Sequence, residues 1–220
     1  MQALRGASEI VTDASSMTEP FLTFFSGSPF ARMARVLVRE WSLPVAEVEY
    51  AFPPPSHLFQ INPLGQVPAL RVDGETVFPT FLVLERLWEM AGRPSSAYDV
   101  QRDRQTLLVT LQAGDALVAA RYQDWTGLRP AAPNHIGYDL AERHLERVGQ
   151  VLAWLRGRPA VLDEHTTVTL PKVALAFLLL WSEARDGPLW SEHGDLWQIV
   201  RSLEQRPSFA STRPRVWKPG

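Results

Sequence analysis

Two hydroxyls open the chemical inventory of this chain. Ser28 stands directly before Pro29 at the start of a segment with helical spacing, and Ser26 lies two positions earlier. Serine followed by proline is an ordinary helix cap, but a hydroxyl so placed also shares its surroundings with exposed first-turn amides, whose partial positive charge favours an anion. A second candidate is the run Asn62-Pro63-Leu64-Gly65-Gln66-Val67-Pro68-Ala69-Leu70. Pro68 cannot donate to a sheet ladder, so at the mouth of a strand it belongs on an edge or in a special turn. A cis Val67-Pro68 bond would turn the Val67 amide and carbonyl outward, free to pair with a peptide-like ligand. The plainer alternative is that Pro68 ends a loop, and the residues taken alone favour it.

Other chemistries find little footing. There is no cysteine, which excludes disulfides, thiolate metal sites and cysteine nucleophiles. His57, His135, His144, His165 and His193 show no paired metal spacing, and neither a Gly-x-Ser-x-Gly elbow nor a phosphate loop is present, so no metal is expected.

The elements that must position these groups follow from periodicity. Residues 1–19 read as a loose tail without sustained period. Phe21-Leu22-Thr23-Phe24-Phe25, bounded by Ser26-Gly27-Ser28-Pro29, reads as a buried strand. Phe30, Met33, Ala34, Leu37 and Trp41 recur at helical spacing, and Val45 to Tyr50 alternates as a half-buried strand. A strand over Val67 to Val72, a tight Asp73-Gly74 turn, a strand over Glu75 to Phe78 and a helix from Thr80 to Met90 complete a mixed α/β unit. Beyond Arg93-Pro94 four helical patterns follow: Tyr98 to Tyr122; a stripe of Leu140, His144, Leu145, Val148, Val151, Leu152 and Leu155; Val173 to Trp181, apolar all round; and Leu196, Ile199, Val200 and Leu203. The expected division is a tail over 1–19, an α/β domain over 20–92 and an all-helical domain over 93–220.

With 220 residues, 45% of them hydrophobic, the chain can bury a sizeable core. Its formal net charge of -2 and lack of like-charged blocks point away from nucleic acid and membrane surfaces. No apolar run approaches the roughly 18 residues of a membrane span, so a cytoplasmic protein is expected.

Ser-Pro-Phe-Ala-Arg at a helix start, the Asn-Pro-Leu-Gly to Pro-Ala-Leu run, the strand pair and the helix-rich second half together resemble the glutathione transferase superfamily. The ending Arg206-Pro207-Ser208-Phe209 with Thr212-Arg213-Pro214 is similar to that of many bacterial members. The resemblance implies an N-terminal thioredoxin-like domain (β-α-β-α-β-β-α), a C-terminal helical-bundle domain, a cis Val67-Pro68 bond and a homodimer. It implies glutathione as co-substrate, without metal, and conjugation of its thiolate to a small hydrophobic electrophile. The alternative is a non-catalytic binding protein of the same fold with weak or no glutathione affinity.

Residue by residue, the resemblance makes Ser28 the thiol-activating hydroxyl, with Ser26 a turn residue. Val67 and Pro68 would meet the glutathione backbone. Pro79-Thr80 fall where most members hold the γ-glutamyl group with an acid or glutamine followed by serine; Thr80 keeps a hydroxyl, whereas Pro79 keeps neither charge nor donor. His57 is a substitute for the lysine that some classes aim at the glycine carboxylate, and Gln60 is another. Phe30, Arg121, Tyr122 and Trp125 would line the electrophile pocket. Thr169 is expected to cap the helix that follows it, with Lys172 unable to complete the capping box.

Overall fold

A computed structural model describes residues 20–51, 53, 55–127, 139–158, 161 and 167–214. The expected tail over 1–19, together with His135 and His165, lies outside the described residues. The chain runs β1 (Phe21–Phe24), α1 (Pro29–Glu40), β2 (Ala46–Glu49), α2 (Leu58–Ile61), β3 (Ala69–Val72), β4 (Glu75–Val77) and α3 (Thr80–Met90). It continues with α4 (Val100–Trp125), α5 (Leu140–Leu155), α6 (Leu170–Glu183), α7 (Gly194–Glu204) and α8 (Pro207–Ala210). The first seven elements form a thioredoxin-like unit, and among the described residues no strand follows β4.

The four strands form one sheet in the order β2-β1-β3-β4. β1 pairs parallel with β2, Thr23 opposite Val48, and antiparallel with β3, Leu22 opposite Leu70. A parallel pair needs a crossover, which α1 supplies, whereas β3 and β4 are joined by the two-residue Asp73-Gly74 turn with positive φ at both residues. The strand expected from Val67 begins two residues later, because Val67 and Pro68 form the cis bond that leads into it. A second cis bond, Phe78-Pro79, leads into α3.

Two apolar clusters hold the molecule. The larger joins Leu22, Leu70 and Val72 of the sheet to Leu37 of α1, Leu84 of α3 and the helical half. The smaller joins Phe21, Phe24 and Val48 to Ala31 and to Leu58 of α2. α6 is buried from Leu170 to Ser182, as an all-round apolar pattern requires, and Thr169 caps it, accepting from the Lys172 amide at 3.3 Å. Lys172 is itself fully buried, and its ammonium donates to the Thr167 carbonyl at 3.3 Å.

Two expectations for the helices are corrected. The first long helix starts at Val100 because Asp99 caps it, accepting from the Arg102 amide at 2.9 Å; Tyr98 lies before the cap, buried edge-on against Trp88. Leu140 does not belong to the buried stripe of α5: it follows the Asp139 cap and stands exposed, while Val148, Leu152 and Leu155 are buried.

Candidate functional site

The site is built around the start of α1. The chain leaves β1 through a turn in which the Ser28 amide donates to the Phe25 carbonyl at 3.0 Å, placing Ser26 in the turn and Ser28 at the cap. Ser28 has extended backbone, and its Oγ accepts from the Ala31 amide at 3.2 Å. A hydroxyl has one proton and two lone pairs, so capping leaves the proton free for an anion. Half-buried Ser28 can therefore do both jobs.

The turn carrying it is tied to the helical half. The Gly27 carbonyl accepts from the Trp181 indole at 3.1 Å and from the Arg185 guanidinium at 2.8 Å. Arg185 lies over the Trp181 ring, 4.4 Å from its centroid. It is 8% exposed, and burial pulls its pKa down to about 10. Neither Trp181 nor Arg185 was singled out as a site residue in the sequence. Trp181 reads there as the end of an apolar run, and Arg185 belongs to none of the patterns.

Phe30 points into a small apolar cavity between α1, α4 and α6, bordered by Met33, Gly114, Leu117, Phe177 and Trp181. The cavity measures about 10 Å³, the space of one water-sized sphere. Arg121, Tyr122 and Trp125 do not line it. They form a cluster against it: Trp125 tilts on Trp181 at 6.1 Å, Tyr122 meets Trp125 edge-on at 5.5 Å, and Arg121 donates to the Arg185 carbonyl.

The run around Asn62 leads to the cis Val67-Pro68 bond. Asn62 is buried; its side chain donates to the Gln66 carbonyl at 2.8 Å and accepts from the Leu64 amide at 3.0 Å, closing the turn before Val67. Gly65 has φ of 62°, and a side chain there would strike the Phe59 ring at 2.5 Å, so both conformation and space require glycine. Pro79 stands at the N-cap of α3 without a side-chain cap bond, and Thr80 opens the helix, whose first amides lack intrahelical partners. His57 packs edge-on against Tyr50 at 5.2 Å, before α2, and Gln60 is exposed. Among the described residues no group of three or more His, Asp or Glu side chains stands together as a metal site.

Residues 27–89 match the family model for the glutathione S-transferase N-terminal domain. The matched segment is a glutathione S-transferase N-terminal domain. Solved structures extend the likeness in fold over both halves of the chain. A glutathione S-transferase from Methylobacterium radiotolerans, in complex with glutathione sulfonate, superposes with a TM-score of 0.74 at 22% identity, covering 92% of this chain and 98% of that one. A glutathione S-transferase from Methylobacillus flagellatus with glutathione bound gives 0.75 at 23% identity, covering 90% and 100%. A glutathione transferase family member from Pseudomonas fluorescens with bound glutathione gives 0.75 at 25% identity, again covering 90% and 100%. No curated protein matches by sequence.

Proposed function

We propose that this protein binds glutathione between the Asn62–Pro68 run and the starts of α1 and α3, and conjugates its thiolate to a small electrophile. The observation that carries the reading is Ser28: a half-buried hydroxyl at a helix N-terminus, its acceptor side used by Ala31, beside an apolar cavity. A thiol with a pKa of about 8.5 must ionise to attack, and lowering it by about two units takes roughly 2.7 kcal/mol. A hydroxyl hydrogen bond with the adjacent helix amides is of that order. Val67 and Pro68 would pair with the glutathione backbone, Thr80 would receive the γ-glutamyl carboxylate at the start of α3, and His57 would approach the glycine end. Phe30, with Arg121, Tyr122 and Trp125 behind it, would receive the electrophile. Glutathione enters as co-substrate, and the relatives crystallised with glutathione or its sulfonate support that assignment. The assignment is tested by turnover of a neutral aryl halide with glutathione, against a thiol-free control.

A second reading has its own observation. Pro79 occupies the place of the usual acid and makes no side-chain cap bond, so the γ-glutamyl ammonium lacks its customary partner. On that reading the protein keeps the fold as a binding module. Saturable glutathione binding without turnover of any aryl halide would select it.

The protein is further proposed to work as a cytoplasmic homodimer. Phe59, Leu64, Leu82 and Leu108 are exposed apolar side chains suited to burial between copies. No helix among the described residues is long and apolar enough to cross a membrane. Sedimentation at micromolar concentration tests the dimer.

A further inference from the structure

Among the described residues two arginines are deeply buried, and only one of them is accounted for by its surroundings. Arg32, 6% exposed, donates to the Phe209 carbonyl at 3.1 Å and to the Thr212 hydroxyl at 3.4 Å, and Glu204 contributes an opposing charge. Arg185, 8% exposed, has one bonded nitrogen, the one donating to Gly27; its other terminal nitrogen is buried with no partner. Beside it, Arg121 binds the Arg185 carbonyl and Asp124, yet its Nε is also buried and unpartnered. No carboxylate is bonded to Arg185 among the described residues, and the charge of Arg121 works against its own. A buried guanidinium with unused donors is unfavourable unless something satisfies it. A role as a clamp on Gly27 explains one nitrogen and leaves the other without a purpose.

We propose that Arg185, supported by Arg121, is the receptor for a carboxylate on the electrophile, so that the second substrate is an anionic, carboxylate-bearing electrophile. The geometry carries this. Arg185 touches Gly27, the residue before Ser28, so its charge lies one residue from the hydroxyl assigned to the thiol. It lies on the helical side, against Trp181, which borders the apolar cavity. An apolar wall and a cation together suit an aryl or alkyl carboxylic acid, whose body packs on Trp181 and Phe30 while its carboxylate meets the guanidinium fork. With an aryl chloride the thiolate sulfur forms a bond to the ring carbon and the carbon–chlorine bond breaks. Chloride leaves, the thiol proton goes to solvent, and the carboxylate is unchanged.

This inference rests on the conjugation reading, and the experiment separates the two. Chlorodinitrobenzoate and its neutral methyl ester are compared as substrates, each kcat/KM divided by the uncatalysed rate with glutathione. The acid should be favoured by about tenfold, the size of one charge-assisted contact. The preference should vanish in Arg185→Met and persist in part in Arg185→Lys. A wild-type ratio near one, or the same ratio in Arg185→Met, overturns the proposal. So does a raised KM for glutathione in Arg185→Met with the acid-to-ester ratio unchanged, which would assign Arg185 to a glutathione carboxylate instead. If neither compound turns over, the conjugation reading fails, and calorimetric titration with the same pair still decides this one. Tighter binding of the acid, lost in Arg185→Met, supports it, and equal affinities overturn it. Should Arg185→Met fail to fold, Arg121→Gln carries the same comparison: a reduced acid preference supports the proposal, and an unchanged one overturns it.

Discussion

Glu40, in the last turn of α1, forms an ion pair with Arg206, just before α8 and 166 positions away, and the Ser208 hydroxyl donates to the same carboxylate at 2.7 Å. A carboxylate at a helix C-terminus is unfavourable against the helix dipole, and Arg206 offsets that. With Arg32 bonded to Phe209 and Thr212, this contact fastens the end of the described chain to the thioredoxin-like half. Glu40→Ala should lower unfolding stability by about 1–2 kcal/mol, the lower part of the range for a charged hydrogen bond, because the Arg206 side chain is 38% exposed and screened. Urea melts measure it, and a change below about 0.5 kcal/mol would mean the contact contributes only geometry.

Removing the Ser28 hydroxyl separates its two duties. Ser28→Ala should cost about 1 kcal/mol of stability for the lost cap. It should also move the rising, acid-side limb of the glutathione pH-rate profile upward by one to two units, in order of magnitude. A lowered melting temperature with an unmoved profile would leave Ser28 as a cap alone.

Gly114 lies inside α4, and a Cβ there would stand 3.2 Å from the Phe30 ring. Gly114→Ala gains about 1 kcal/mol of helix propensity, yet it pushes the ring toward a cavity that has little room. The expected outcome is near-neutral stability with a KM for the electrophile changed several-fold and a KM for glutathione left alone. Equal changes in both constants would contradict the placement of Phe30 in the electrophile pocket.

Glutathione itself should bind weakly, with a dissociation constant in the millimolar range, about 4 kcal/mol of binding free energy. Thr80 can meet the γ-glutamyl carboxylate, while Pro79 offers the ammonium nothing. Thr80→Val should weaken binding by a further factor of about five to ten, read by titration calorimetry. Micromolar binding by the wild type would reveal an acid that reaches the ammonium from elsewhere.

His144 on α5 has a buried, unpartnered Nδ1, and burial, then the Arg147 charge, lowers its pKa from 6.5. Above that value both states are neutral and the group contributes nothing to the pH dependence. As pH falls below it, the unfolded chain takes up the proton first, so stability drops until the folded pKa is also passed. Thermal melts at pH 7.5 and 5 should show a larger acid loss for the wild type than for His144→Gln. Parallel curves would remove His144 from the account.

Much of this architecture was legible because it is local. The Ser28-Pro29 cap, the bounds of α3 at Thr80 and Met90, the Asp73-Gly74 turn and the burial of α6 each follow from residues within a few positions of one another. From the residues alone the plainer reading of Pro68 was favoured; the family resemblance reversed it, and the structure has the bond cis. Leu140 was misjudged because a periodic stripe does not say where the neighbouring helices stop covering it. Arg185 was invisible for a different reason: its bond is to a backbone carbonyl 158 positions away, and backbone carbonyls leave no mark in a sequence. The Trp181 indole reaches the same atom, yet tryptophan at the end of an apolar run reads as packing.

That shared carbonyl also sets an order of events at the ribosome. Gly27 is translated 154 residues before Trp181 and 158 before Arg185. At roughly 5–20 residues per second the interval is about 8–30 s. Throughout it, water must occupy the positions these two donors later take. Whatever secondary structure the early strands acquire in that time, the loop bearing Ser28 gains its final anchors only after most of the chain has been made. A nascent chain that ends before Trp181 carries the residues of all four strands but neither donor that holds the Gly27 carbonyl.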